Sequence, residues 1–509
     1  MAAFQSIEFS PELLTDPKCY PHEVAAVELI ETHLSWVYLA GEYAYKVKKP
    51  LSFDFVDFKT LERRKFFCLK ELELNRRFAP ELYIDVVPIL PAHTGVVIGE
   101  RNSSNQSSAV EWAVKMHRFG MDAEVKSQLA HGCIGAEDFY DYGCKLASQH
   151  KDLPSVTGPS IDNAIHENFA QLGAWDFVDL DQLLKVQNEV FEQLDKYRQL
   201  LETRSCTGYV RVCHGDLHLG NLIKLEGGLL AFDCLEFNES LSTTDVWADV
   251  AFLFMDLHCN GWKNYAYAFV DGYLEASGDY AGAVLLHLFA VHRALVRAKV
   301  AGLRYQQTGS LEDLEVVNRY LNWCIKLGQQ SEACVYVTHG FSGSGKSYWA
   351  RQLVESLGCL RIRSDILRKH QAGLSSHAQT NSRLGQDLYS DQNSKQIYRD
   401  MAQLAIQWVE QGEKVIVDAA CLRLEQRQQL YVAFKRAGLN YLLVSFVACD
   451  EVLRQRISQR QKQLQDASEA DENVLLWQQS QADVIQEAES AVFFDTQTGN
   501  LNTLLQLIA

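Results

Sequence analysis

No C-x-x-C pair occurs in the 509 residues, and the thirteen cysteines stand singly. An odd count without metal-ligand spacing argues against a disulfide framework or a zinc module. It reads as reduced intracellular thiols filling core positions. Positive charge is scarce: 48 Lys and Arg face 65 Asp and Glu, a formal net charge of -17. A surface of that sign repels phosphate backbones and anionic lipid, so neither nucleic acid nor membrane is an expected partner. A local basic pocket can still take a small anion. Long apolar runs are missing as well. Val246–Leu257 is broken by Asp249 and Asp256, and Ala283–Val300 by His292, Arg293 and Arg297, so neither can span a bilayer. The start, MAAFQSIEFSPELL, has neither the basic nor the apolar region of a secretory signal. The expectation is a cytoplasmic protein. There is no internal repeat and no long low-complexity linker.

What is present is ordinary globular composition, 47% hydrophobic and 22% charged, on a chain long enough for two to four domains. Ser35–Lys49 has two β-rich runs around Ala40-Gly41-Glu42, a hairpin pattern. Leu61–Phe78 reads as a charged amphipathic helix, and Pro80–Ile98 as short β-runs punctuated by Pro88 and Pro91. A polar loop (Arg101–Ser108) and the strand-like WAVKM lead into a mostly helical stretch to about Arg204. Tyr209–Phe237 alternates short apolar pieces with polar clusters, as a loop-built site does, and helices resume from Asp245 to about Leu327. A second unit begins near residue 330. Its strands CVYVT, LRIR, KVIVDA and NYLLVSFVA alternate with helices, which implies a parallel, doubly wound α/β sheet. Gln455–Glu489, with Leu464, Val474, Leu475 and Trp477 at helical spacing, reads as a solvated helical face.

Two blocks carry chemistry. Gly340-Phe-Ser342-Gly343-Ser344-Gly345-Lys346-Ser347 fits G-x-x-x-x-G-K-[ST] between a strand and a helix. Glycines let successive N–H groups turn inward around phosphates, Lys346 supplies charge to the β/γ oxygens, and Ser347 offers a hydroxyl to Mg2+. The dipole of the following helix adds to this. Asp365 follows the second strand, where a parallel sheet binds ligands; it can orient an attacking hydroxyl, or simply cap a helix. Arg368, one turn on, can hold an anionic substrate group. Asp418 ends the next strand, suited to Mg2+-bound water or substrate. Arg454, Arg456 and Arg460 share one predicted helix, and Arg456 is the candidate to close over the phosphates.

The other block is VCHGDLHLGNLIKLEGGLLAFDCLEFN. Its spacing suits phosphoryl transfer: Asp216 to accept or position the proton of an acceptor hydroxyl, Asn221 and Asp233 to bring oxygens to Mg2+. A transition-metal site is disfavoured because Asn221 is a poor ligand for one. His214 and His218 read as scaffold. Lys46, within the β-run AYKVKK, is the candidate for the α/β phosphates, with Lys48 on the same face. Its carboxylate partner is Glu71 or Glu73, which the spacing does not separate.

HGDLHLGN and AFDCLEF resemble the catalytic loop and metal-binding segment of the aminoglycoside phosphotransferase/choline kinase branch of the protein-kinase-like fold. In that fold an Asp at the position of Asp249 supports the catalytic loop. The chain departs from the wider kinase pattern in having no G-x-G-x-x-G loop. GFSGSGKS, SDILRK, VIVDAA and LRQRISQR resemble the small P-loop kinases grouped with chloramphenicol phosphotransferase, zeta-toxin and polynucleotide 5′-kinase domains. The whole chain is similar to bacterial aminoglycoside phosphotransferase-like/P-loop ATP-binding fusions. The resemblance implies an α+β kinase-like domain over 1–330 and an α/β P-loop NTPase domain over 331–509. It also implies ATP and Mg2+ as cofactors, small-molecule hydroxyls as acceptors, and Asp216 and Asp365 as the two bases. A nucleic-acid 5′ end stays open as a substrate. The alternative reading is a nucleotide-gated regulatory protein in which one half senses ATP and controls the other or a partner.

Overall fold

The computed structural model describes residues 9–53, 56–93, 95–100, 106–158, 161–328, 334–376, 378, 391–463 and 471–509. Leu464 lies outside them. The chain forms two compact units: Met1–Ile134 with Asp152–Ser160 and Glu202–Asp249, and Gly135–Lys151 with Ile161–Leu201 and Val250–Ala509. The change from helices to parallel strands near 330 therefore falls inside the second unit.

The first unit is built on a six-stranded antiparallel sheet. Its order is Val27–Glu31, Ser35–Ala40, Tyr43–Lys48, Glu111–His117, Tyr83–Ala92, Gly95–Ile98. The hairpin around Gly41 is present, and Gly41 has a φ of +60°, open to glycine at little cost. The helix Leu61–Asn75 is capped by Thr60, whose hydroxyl accepts from the Arg63 amide. It stops short of the expected Phe78. Cys68 and Leu72, four apart on one face, bury against Ala44, Val86 and Val114 of the sheet.

Tyr83–Ala92 is one ten-residue strand, not a run broken at its prolines. Pro88 precedes the first residue paired with Gly95–Ile98, and Pro91 follows the last one paired with Glu111–His117. Each lies where one strand edge has no register partner, so the missing N–H costs no ladder bond there.

In the second unit, helices surround a five-stranded sheet, all parallel, in the order Cys359–Arg363, Lys414–Asp418, Val335–His339, Tyr441–Val447, Ala491–Asp495. The central strands are continuous apolar runs because both faces are covered. The fifth strand, AVFFD, escaped the sequence reading. Only Phe494 of it is buried, so it has no apolar-run signature. The helices Ala136–Asp152 and Lys263–Ser277 approach closely. A Cβ on Gly143 would lie 2.1 Å from the Phe269 carbonyl, and one on Gly272 2.0 Å from that of Tyr140. No helix among the described residues is long and apolar enough to cross a membrane.

Candidate functional sites

In the first unit, period-two alternation along Tyr43–Lys48 puts Lys46 and Lys48 on one face, and the helix Leu61–Asn75 sets Glu71 between them. Lys46 Nζ lies 2.8 Å from Glu71 Oε1 and 2.5 Å from Asp233 Oδ1. Lys48 Nζ lies 2.7 Å from Glu71 Oε2 and also bonds Glu236. Glu73 instead pairs with Arg77 on the surface, at 3.0 Å, so geometry selects Glu71 over Glu73. The charges alternate in sign, which is what makes their burial tolerable. Burial works against the Glu71 carboxylate, but Lys46 and Lys48 overcome it and hold its pKa down to about 2. Burial likewise opposes charge on Lys46, and Asp233, Glu71 and Glu236 reverse that, keeping its pKa well above the ordinary value. Lys48 is sealed in, at 1% exposure, whereas Lys46 (14%) and Asp233 (43%) reach the open side.

The loop His214–Asn221 is held from beneath. Asp249 accepts from the amides of His214 at 2.7 Å and Gly215 at 2.9 Å, the supporting position the resemblance implies. Burial lowers the His214 pKa, so the ring is neutral near pH 7. Nδ1 accepts from the Asp216 amide (3.3 Å), which leaves Nε2 to donate to the Phe232 carbonyl (3.0 Å). His218 Nδ1 accepts from Gly220 N at 3.0 Å, and its Nε2 lies 3.5 Å from Asp216 Oδ2. Asn221 Nδ2 donates to the Asp216 carboxylate at 3.1 Å and to its carbonyl at 3.0 Å, bringing the two residues together.

Asp233 stands in the left-handed region at φ +60°, a strained conformation for a residue with a Cβ. It is pinned on both sides. Its amide donates to the Tyr83 hydroxyl (3.1 Å), and the Cys234 amide donates to Asn75 Oδ1 (3.0 Å). Asn75 Nδ2 in turn donates to the Glu71 carbonyl, so one helix end positions both the glutamate and the aspartate segment. The sequence reading missed Asn75, Tyr83 and Glu236, for which no local pattern exists. The only available signal was Asn75 lying four residues after Glu71 on the same helix.

In the second unit the glycine loop joins the strand Val335–His339 to the helix Lys346–Leu357. Gly340, Gly343 and Gly345 have φ of +149°, +84° and +86°. A Cβ on Gly340 would sit 2.6 Å from the Phe446 carbonyl, and one on Gly343 2.6 Å from that of Leu453. The Ser342 amide donates to Gln478 at 2.8 Å, and Lys346 Nζ reaches back over the loop to the Phe341 carbonyl at 3.4 Å. Ser344 is buried, and its hydroxyl has no hydrogen-bond partner among the described residues. Ser347 Oγ and Thr338 Oγ1 each lie 3.4 Å from Asp418 Oδ1.

Arg456 reaches the loop. Its guanidinium donates to the Gly343 carbonyl at 3.3 Å and to Thr496 Oγ1 at 2.9 Å, whereas Arg454 pairs with Glu472 on the surface. Asp365 lies in the first turn of Ser364–Gln371, where Arg363, not Asp365, is the cap residue. It pairs with Arg368 at 3.2 Å, and among the described residues no hydrogen bond or ion pair joins it to the glycine loop or to Asp418. A cavity of about 520 Å³ elsewhere in this unit, bordered by His258, Tyr267, His287 and Glu413, includes none of these residues.

Residues 127–285 match the family model described as "Phosphotransferase enzyme family", and residues 335–485 the one described as "AAA domain". Over 417 residues the chain is 30% identical to the uncharacterized protein Rv2004c of Mycobacterium tuberculosis, covering 79% of this chain and 80% of that protein. The uncharacterized protein Mb2027c of Mycobacterium bovis matches to the same extent. Among solved structures, a choline/ethanolamine kinase family protein from Mesorhizobium loti is 11% identical, with a TM-score of 0.38, covering 60% of this chain and 90% of its own. A gluconokinase from Sinorhizobium meliloti is 19% identical, with a TM-score of 0.25, covering 35% and 92%.

Proposed function

Because the chain belongs to one family with these mycobacterial relatives and joins a kinase-like phosphotransferase segment to a P-loop kinase-like segment, we propose that it works as an ATP- and Mg2+-dependent phosphotransferase with two nucleotide sites. Each site transfers the γ-phosphate to a hydroxyl of a small-molecule acceptor. The observation that carries the reading is the Lys46–Glu71–Asp233 ion-pair chain, together with Asn221, which bonds Asp216 through its side chain and the Phe232 amide through its carbonyl.

The residues suit the absent groups. Asp233 offers a half-exposed carboxylate whose only protein charge partner among the described ion pairs is Lys46, and the main-chain carbonyl of Asn221 accepts from the amide of Phe232, the residue before Asp233, at 3.0 Å. In the P-loop, three glycines at positive φ, two of them packed too closely on Phe446 and Leu453 to take a Cβ, turn the backbone at the helix start, and the Ser344 hydroxyl has no hydrogen-bond partner among the described residues; such a turn can cradle an anion. Magnesium, when bound, offsets polyphosphate charge and lowers the cost of transfer.

The chain's own residues do the rest. Lys46, held by Glu71, places a fixed positive charge against the α/β phosphates. Asp216, oriented by the Asn221 amide, takes the proton of the acceptor hydroxyl. In the second site the loop amides and Lys346 grip phosphate, Ser347 and Asp418 face the metal side, and Arg456 lies against the loop as a closing cation. Asp365 is the base there, and it must leave Arg368 to act. The test is a hydroxyl-acceptor screen with radiolabelled ATP on the full chain. Asp216→Ala and Lys346→Ala should each remove one transfer activity and leave the other. Loss of both activities in either variant, or of neither, contradicts two working sites.

A further inference from the structure

Inside the second unit, the strand Cys359–Arg363 carries Arg361 and Arg363 at alternate positions, with side chains 2% and 9% exposed. Guanidinium groups sealed from water need carboxylates, and the helix Lys263–Ser277 supplies two on one face, Asp271 and Glu275, four residues apart. Arg361 meets Asp271 fork to fork, at 2.9 and 2.8 Å, and Glu275 at 3.0 Å; Arg363 also bonds Glu275. From their other side the same two arginines approach Asp418 Oδ2, Arg361 at 3.5 Å and Arg363 at 3.7 Å. Arg361 further donates to the Ser347 carbonyl at 3.2 Å, at the start of the P-loop helix.

Three carboxylates thus share two arginines. An aspartate facing two full guanidinium charges is a poor partner for a divalent cation, because the protein already supplies its counter-charge. We propose that Asp271 and Glu275 are positioning residues of the P-loop site: they share the charge of Arg361 and Arg363 and keep both arginines on the Oδ2 edge of Asp418, so that its Oδ1 edge beside Ser347 stays available to a divalent cation. This rests on reading Asp418 as the metal-side carboxylate. Both residues lie in the stretch matched to the phosphotransferase family, so a helix of one family segment tunes the metal site of the other.

The experiment uses the full chain carrying Asp233→Asn, which removes the metal position of the first site. Mn2+ affinity is read by electron paramagnetic resonance with adenylyl imidodiphosphate present. Glu275→Gln should weaken Mn2+ about tenfold, and adding Arg363→Gln should restore it to within about twofold. Arg363→Gln alone should tighten Mn2+ severalfold, which keeps the proposal testable if Glu275→Gln does not fold. A purely structural role would lower the urea midpoint of Glu275→Gln and leave the Mn2+ affinity of the folded protein unchanged; that result overturns the proposal, as does an unaltered affinity in Arg363→Gln. If Lys346→Ala leaves nucleotide-dependent Mn2+ binding intact, it is the P-loop reading itself that fails.

Discussion

The two candidate sites are built by opposite means. In the first unit, side chains come from four separate segments: Lys46 from a strand, Glu71 from a helix and Asp233 after a hairpin meet one another, and Asp216 and Asn221 meet in a loop. In the second, eight consecutive residues turn their backbone around a helix end, and distant side chains only trim the result. One site is assembled by tertiary packing and the other by local chain geometry. The first should therefore fail with the fold and the second with the loop.

The largest effect tests that contrast directly. Glu71→Ala leaves Lys46 and Lys48 buried beside a hole, and removing one partner of a buried pair costs about 3–5 kcal/mol. Urea unfolding should show that loss together with abolished transfer at the first site. A variant that loses activity but keeps its urea midpoint would mean that the site is not part of the scaffold. Gly343→Ala is the counterpart. At φ +84°, with a Cβ 2.6 Å from the Leu453 carbonyl, it should cost about 1–3 kcal/mol locally and remove nucleotide binding by the P-loop. Calorimetry should then find binding at the first site unchanged.

The same contrast explains what could be read from the sequence. Gly340–Ser347 is legible because its spacing is its structure, and the strand before it is a short apolar run followed by a helix. HGDLHLGN is legible for the same reason. Lys46 was found from alternation in a hairpin, but the choice of Glu71 over Glu73 depends on which helix face meets the sheet, and that is fixed by Cys68 and Leu72 packing below. Asn75 and Tyr83 hold the Asp233 turn, and Glu236 meets Lys48, through contacts between residues far apart in sequence, so no pattern along the chain announces them. The edge strand Ala491–Asp495 was lost because only one of its residues is buried.

Each region also pairs a carboxylate held low with one pushed up. Burial opposes the charge on Glu71 and Glu275, and their cations overcome it, Lys46 and Lys48 for the first and Arg363 and Arg361 for the second. Both pKa values fall to about 2. Burial raises those of Glu236 and Asp271. A folded-state pKa below the unfolded value gives stability that is complete above the unfolded pKa, here 4.5, and lost as pH falls toward about 2. The stability difference between the native chain and Glu71→Gln should therefore shrink by about 2 kcal/mol between roughly pH 5 and pH 2.5. Glu275→Gln should behave alike. Urea midpoints across that range measure both, and a difference that stays flat for one variant would end the parallel.

The smallest expected effect separates trimming from cradle. Arg456 donates to the Gly343 carbonyl and to Thr496, so it already leans on the loop, with a partly buried head and no carboxylate among its hydrogen-bond partners. A cation held by neutral oxygens keeps its charge available to an anion arriving in the glycine turns, whereas one held by a carboxylate has spent it; Arg454, paired with Glu472, is the internal control. Arg456→Gln should raise KM for ATP at the P-loop site about 3- to 10-fold, the worth of one partly solvated charge contact, and leave the first site unaltered. Arg454→Gln should change neither. If the two substitutions act alike, the arginine against Gly343 braces the loop without touching phosphate, and the P-loop grips with backbone and Lys346 alone.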